Sequence, residues 1–130
     1  MSKKEIFNTE KAPAAIGPYN QAIKAGQTLY ISGQIPLIPE TMQLISAGVE
    51  DETHQVLQNV EAILQHAGYG FEDVVKTSIF LSSMDYFSTV NEVYAQYFKT
   101  NQPARECVAV KTLPKNVNVE ISVIAWKAGE

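Results

Sequence analysis

The sequence predicts an α+β fold, a mixed β-sheet with two helices packed on one of its faces. Three observations point there. Two stretches space their apolar residues at helical intervals, they alternate with β-favouring stretches behind an opening hairpin, and two of the later strands are apolar on both sides. The 130 residues hold no repeat, low-complexity run or Gly/Ser/Pro linker, so a single domain over 1–130 is expected.

Behind the opening hairpin, Thr28-Leu29-Tyr30-Ile31-Ser32 is a short β-favouring run that stops at Gly33 and Pro36. From about Asp51 to Ala67, Val56, Val60, Ile63, Leu64 and Ala67 recur at helical spacing, and Gly68 suits a left-handed helix cap. Val74 to Ser82 is longer and strongly β-branched, which reads as a strand. A second helix runs from Phe87 to about Lys99 on the stripe Val90, Val93, Tyr94, Tyr97 and Phe98, with Asn101 and Pro103 preventing its continuation. Two strands close the chain, one from Pro103 to Val110 and one from Val117 to Trp126, joined across the tight Leu113-Pro114-Lys115-Asn116 turn. Because the strands at 74–82 and 117–126 carry apolar residues on both sides, the face away from the helices also calls for cover. Another copy of the chain is the material left to supply it, so a homo-oligomer is expected.

Composition excludes several function classes. Ten Lys and Arg against fourteen Asp and Glu leave a net charge of -4, which offers no general attraction to phosphate backbones or anionic membranes. One cysteine cannot form an internal disulfide, and the polar start Met1-Ser2-Lys3-Lys4-Glu5 lacks the apolar core of a signal peptide. No apolar run approaches the roughly 18 residues that span a bilayer. A cytoplasmic protein is expected, with nucleic acid and membrane unlikely partners.

The stretch Pro103-Ala104-Arg105-Glu106-Cys107-Val108-Ala109-Val110, followed by Leu113-Pro114-Lys115 and Val119-Glu120-Ile121, concentrates the reactive side chains. Arg105 and Cys107 are two apart and share a strand face, and the turn is expected to fold Glu120 back alongside them. A guanidinium grips a planar carboxylate with two parallel charge-assisted bonds, although pairing with Glu106 or Glu120 would occupy it equally well. Glu120, between Val119 and Ile121 on a central strand, must be paired or have a raised pKa. Cys107 beside Arg105 could be an activated thiol, but the two histidines, His54 and His66, fall within the first helix and supply it no base, so a small buried hydrophobe is the better reading. Tyr19 follows Gly17-Pro18 and is aimed by a rigid turn, Ser32-Gly33 ends a strand where a ligand can approach the backbone, and Asn91 reads as a solvent-facing amide. Metal-ligand spacings, Cys-x-x-Cys pairs and phosphate-cradling glycine loops are absent, so neither a metal nor a cofactor is expected.

Together with Ala12-Pro13-Ala14-Ala15-Ile16-Gly17-Pro18-Tyr19 and Ser32-Gly33-Gln34-Ile35-Pro36, these motifs closely resemble the RidA/YjgF/YER057c/UK114 family, specifically its RidA branch of enamine/imine deaminases, over essentially the whole chain. The resemblance implies a chorismate-mutase-like subunit, a homotrimer and sites in clefts between subunits. It further implies a cofactor-free 2-iminobutanoate/2-iminopropanoate deaminase whose ligands are small 2-imino and 2-oxo acids. Arg105 would bind the substrate carboxylate and Glu120 would orient or activate water. Cys107 and Gly33 would offer backbone bonds and a pocket wall, while Tyr19, Ser32 and Asn91 would complete the binding residues. Members of the superfamily also act as ligand-sensing, regulatory or chaperone-like trimers, or as endoribonucleases and translation inhibitors, and the acidic balance weighs against the last of these. The chain departs from the common pattern at Glu106, where a small residue is usual, at Asn20, where serine is frequent, and at Glu52, where glutamine is frequent. Glu106 should point away from Arg105, and neither Asn20 nor Glu52 is assigned chemistry.

Overall fold

Strict alternation along Val119-Glu120-Ile121-Ser122-Val123-Ile124-Ala125-Trp126 makes the last strand the spine of the molecule, since every odd-numbered residue in it is buried. In the computed structural model, which describes residues 3–129, this strand lies inside a six-stranded sheet. The strands are β1 (Lys4–Phe7), β2 (Ala22–Ala25), β3 (Thr28–Gln34), β4 (Val74–Leu81), β5 (Ala104–Ala109) and β6 (Val119–Trp126), in the spatial order β1-β2-β3-β6-β4-β5. All neighbours are antiparallel except β4 and β5. Helices α1 (Val49–His66) and α2 (Phe87–Tyr97) pack side by side on one face. The expected α+β layer is therefore present.

Val56, Leu57, Val60, Ile63 and Leu64 of α1 and Val90, Val93 and Tyr94 of α2 form one apolar core with Leu29, Ile79, Leu81 and the odd-numbered residues of β6. Gly68, at φ +85°, ends α1 as expected: its N–H donates to the Gln65 carbonyl at 3.1 Å and the Tyr69 N–H to the Leu64 carbonyl at 2.8 Å. Helix α2 stops at Tyr97, two residues short of the expected end. Strand β3 runs on through Gly33 to Gln34, past the expected stop, because an irregularity between Ile31 and Gln34 absorbs the glycine while pairing with β6 resumes.

One expectation is overturned. β5 and β6 are not neighbours, since β4 separates them. Helix α2 carries the chain back along the sheet, so that β5 re-enters parallel to β4 at the outer edge, where five of its six residues are exposed. The following loop passes beyond the end of β4 and delivers β6 between β3 and β4, the central place that its fully buried alternate residues require.

The face opposite the helices is open in the chain by itself. A row of residues in register, Ile6, Ile23, Tyr30 and Ile124, crosses four strands of it. Ile6 is 57% exposed and Tyr30 48%, and Val108 and Trp126 add further exposed apolar area. No helix among the described residues is long and apolar enough to cross a membrane.

Candidate functional site residues on opposite sides of the sheet

The residues singled out from sequence fall into two groups. The first lies on the helix side, at the β5 edge. Arg105 is in register with Thr77 of β4, and Cys107 with Ile79, so both face α2. The Arg105 guanidinium rests 4.9 Å from the ring centre of Tyr94 and 5.7 Å from that of Phe87, and its Nη1 donates to Asn91 Oδ1 at 2.8 Å. Phe87, Asn91 and Tyr94 stand at successive turns of α2, which is why one helix supplies all three. Asn91 thus holds the arginine and is not merely turned to water. Below them the Tyr94 and Thr77 hydroxyls are 2.9 Å apart in the core. Burial pushes the Tyr94 phenol up, against smaller downward pulls from Thr77 and Arg105.

Cys107 is partly buried, and that burial raises its thiol pKa more than Arg105 lowers it. It stays a neutral thiol at pH 7, and no histidine is near: His54 Nδ1 is engaged with the Tyr97 hydroxyl at 2.7 Å, and His66 packs edge-on against Phe7. Glu106 points the other way, as expected, accepting from the Ser78 hydroxyl at 2.9 Å and pairing with Lys76 at 3.4 Å. Those partners hold its carboxyl below the usual range.

The second group lies on the open side, around a cleft of about 70 Å³ lined by Ile16, Tyr19, Gly33, Ile35, Pro114 and Glu120 among others. Glu120 is in register with Phe80, between the inward-facing Val119 and Ile121. Its carboxylate lies against Gly33, so close that a Cβ there would come 2.9 Å from Glu120 Cδ. Half-burial raises the Glu120 pKa above the ordinary carboxylate value, with no opposing partner among the described residues. Tyr19 stands at the cleft's outer edge, 48% exposed, with its hydroxyl accepting weakly from the Ile16 N–H at 3.4 Å. The Ser32 hydroxyl donates to the Asn20 carbonyl at 2.7 Å, which ties the loop carrying Tyr19 to β3. Gln21, only 2% exposed, anchors the same loop by accepting from the Thr9 N–H and donating to the Thr9, Ala12 and Pro13 carbonyls.

The expectation that Glu120 folds back alongside Arg105 and Cys107 is therefore corrected. They occupy opposite faces because β6 joins the sheet on the far side of β4, and their positions along the strands place the carboxylate on the face without helices. The sequence also gave no sign of Phe87 and Tyr94 as supports for Arg105, since an aromatic stripe on a helix reads first as core. Glu52, assigned no chemistry from sequence, is buried at 6% exposure and accepts two hydrogen bonds from Asn118. Among the described residues, no three His, Cys, Asp or Glu side chains are grouped to hold a metal.

Residues 9–127 match the family model described as Endoribonuclease L-PSP. The chain is 51% identical to Reactive Intermediate Deaminase A, chloroplastic, of Arabidopsis thaliana over 95% of its length and 66% of that protein. It is 48% identical to the 2-iminobutanoate/2-iminopropanoate deaminase of Homo sapiens, over 94% of the chain and 89% of the relative. Its fold superposes on that of E. coli TdcF with bound serine at a TM-score of 0.90, with 42% identity over 95% of this chain and 99% of that one.

Proposed function

The chain belongs to the Endoribonuclease L-PSP family, the RidA/YjgF group, and from that membership we propose that it is a 2-iminobutanoate/2-iminopropanoate deaminase. Such an enzyme hydrolyses small 2-imino acids to 2-oxo acids and ammonia. One observation carries the reading at the level of the site. The Arg105 guanidinium is held by Asn91 and two aromatic rings, yet among the described residues no carboxylate pairs with it, since the ion pair of this region joins Lys76 and Glu106 instead. A fixed guanidinium with an unoccupied edge is a receptor for an external carboxylate.

The chemistry follows from the inventory. A protonated 2-imino acid is electrophilic at C2 without help from a metal or a covalent nucleophile. Arg105 binds its carboxylate, and backbone groups at Cys107 and Gly33 bound the ligand. Glu120, with a raised pKa and no ion partner among the described residues, accepts a proton as water adds to C2, giving a carbinolamine. It returns that proton to nitrogen, and as the C–N bond breaks the carbinolamine's hydroxyl proton departs with the ammonia, so that the protonated imino acid and water leave as the 2-oxo acid and ammonium. Tyr19 closes the cleft.

Arg105 and Glu120 cannot meet on one ligand within a chain, so the reading includes an assembly. We infer a homotrimer of chorismate-mutase-like subunits, each chain acting as one domain in the cytoplasm, in which the open sheet face of one subunit brings its Glu120 and Gly33 against the Arg105 edge of the next. The exposed row from Ile6 to Ile124 supports this, being the kind of apolar surface that packs against a copy. The test is turnover: the purified protein accelerates ammonia release from freshly generated 2-aminoacrylate above its spontaneous rate, and a ligand sensor without catalysis leaves that rate unchanged.

A further inference from the structure

Asn118, the residue ahead of β6, is held by four hydrogen bonds. Its backbone N–H donates to Glu52 Oε1 at 3.3 Å and its Nδ2 to Glu52 Oε2 at 3.0 Å. Its Oδ1 accepts from the Ser82 hydroxyl at 2.8 Å, and its carbonyl from the Ser82 N–H at 3.0 Å. Both backbone groups and both ends of the amide are thereby engaged. Glu52 sits in the first turn of α1, and Ser82 follows directly on β4, so the start of β6 is pinned between a helix and the neighbouring strand. A carboxylate as buried as Glu52 needs donors, and both of its oxygens find them on this one residue.

Glu120 lies two residues further on. Among the described residues it makes no side-chain hydrogen bond of its own, and its carboxylate rests on the bare Cα of Gly33. Its direction is set by the backbone that carries it. We propose that Glu52 is a positioning residue for the reaction: through Asn118 it fixes the first residues of β6 and so aims the Glu120 carboxylate. This rests on the deaminase reading above. Glu52 touches no substrate, and its effect is a matter of where Glu120 points.

Three variants of the full chain test it. Asn118→Ala changes no charge but removes the amide. Glu52→Gln turns one acceptor into a donor that meets the donors of Asn118. The double variant Glu52→Gln/Asn118→Asp exchanges donor and acceptor, so that the Gln amide donates to one Asp oxygen, its carbonyl still accepts from the backbone N–H at 118, and the other Asp oxygen still accepts from Ser82. Measured on the alkaline plateau, where Glu120 is ionised, each single variant lowers kcat about tenfold with KM within about twofold, and the double variant restores kcat. The side-chain carbon resonance of Glu120 titrates at a different pH in Asn118→Ala than in wild type. Wild-type kcat in the single variants, or a folded double variant no better than Glu52→Gln, overturns the proposal. Should Glu52→Gln fail to fold, Asn118→Ala alone decides, by its kcat and by the Glu120 titration. Should wild type show no turnover, the deaminase reading falls separately, and the Glu120 titration settles the clamp: a shift supports it and an unchanged midpoint overturns it.

Discussion

Arg105 and Glu120 occupy opposite faces of one sheet, with β4 between them: Arg105 is in register with Thr77 and Glu120 with Phe80. A fixed cation waits on the helix side and a half-buried acid waits on the other. Among the described residues each is left without an ion partner, and in the assembly proposed above a neighbouring subunit brings the opposite half.

Arg105→Lys keeps the charge and loses both the two-pronged grip and the guanidinium's place over the rings of Phe87 and Tyr94. Deaminase activity falls at least about tenfold, the order of one charge-assisted hydrogen bond at about 1.5–3 kcal/mol. Steady-state kinetics on a protein with wild-type circular dichroism checks it, and full activity would remove the carboxylate receptor from the account.

Gly33→Ala places a methyl group where the Glu120 carboxylate lies. The carboxylate must turn away, so turnover drops about tenfold or more while the core, which Gly33 does not enter, keeps its melting temperature close to wild type. Calorimetry and turnover on the same sample separate the two effects.

Glu120→Gln preserves shape and removes the proton acceptor, so turnover falls by about two orders of magnitude while affinity for 2-oxobutanoate changes little. Stability moves the other way. The folded pKa of Glu120 is raised, so its contribution is fully present below the unfolded carboxylate value and is lost as pH rises through the folded one. At neutral pH Glu120→Gln therefore melts higher than wild type, and the gap closes in acid. In wild type, kcat/KM falls as pH drops through that same raised pKa.

Tyr30→Glu puts a charge into the exposed apolar row of the open face, whose register neighbours are Ile23 and Ile124. Sedimentation then reports subunits instead of an assembly of about three chain masses, and activity disappears although no side chain assigned to the chemistry has changed.

Much of this was legible in the sequence because the signals are local. Helical spacing from Val56 to Leu64, the cap at Gly68 and the alternation through Val119 to Trp126 each describe one element and its buried side. The place of Glu120 was not legible for the opposite reason. Whether β6 pairs with β5 or slips in between β3 and β4 depends on the competition among all strands for the buried centre, and the tight turn at Pro114 is compatible with either. The support of Arg105 by Asn91 was hidden likewise, since a polar residue on a helix gives no hint that an edge strand 14 residues later will reach it. Glu52 and Asn118 are 66 residues apart and meet only through the assembled sheet.

Mixing two defective subunits tests the composite site most directly. Arg105→Lys retains Glu120, and Glu120→Gln retains Arg105. When the two proteins are unfolded together at equal amounts and refolded, random assembly places an intact Arg105 against an intact Glu120 in about a quarter of the clefts. The account predicts that the mixture regains about a quarter of wild-type activity, far above either parent. A mixture that assembles fully, with mixed subunits verified by native mass spectrometry, and stays at the activity of its parents would contradict a site shared between chains.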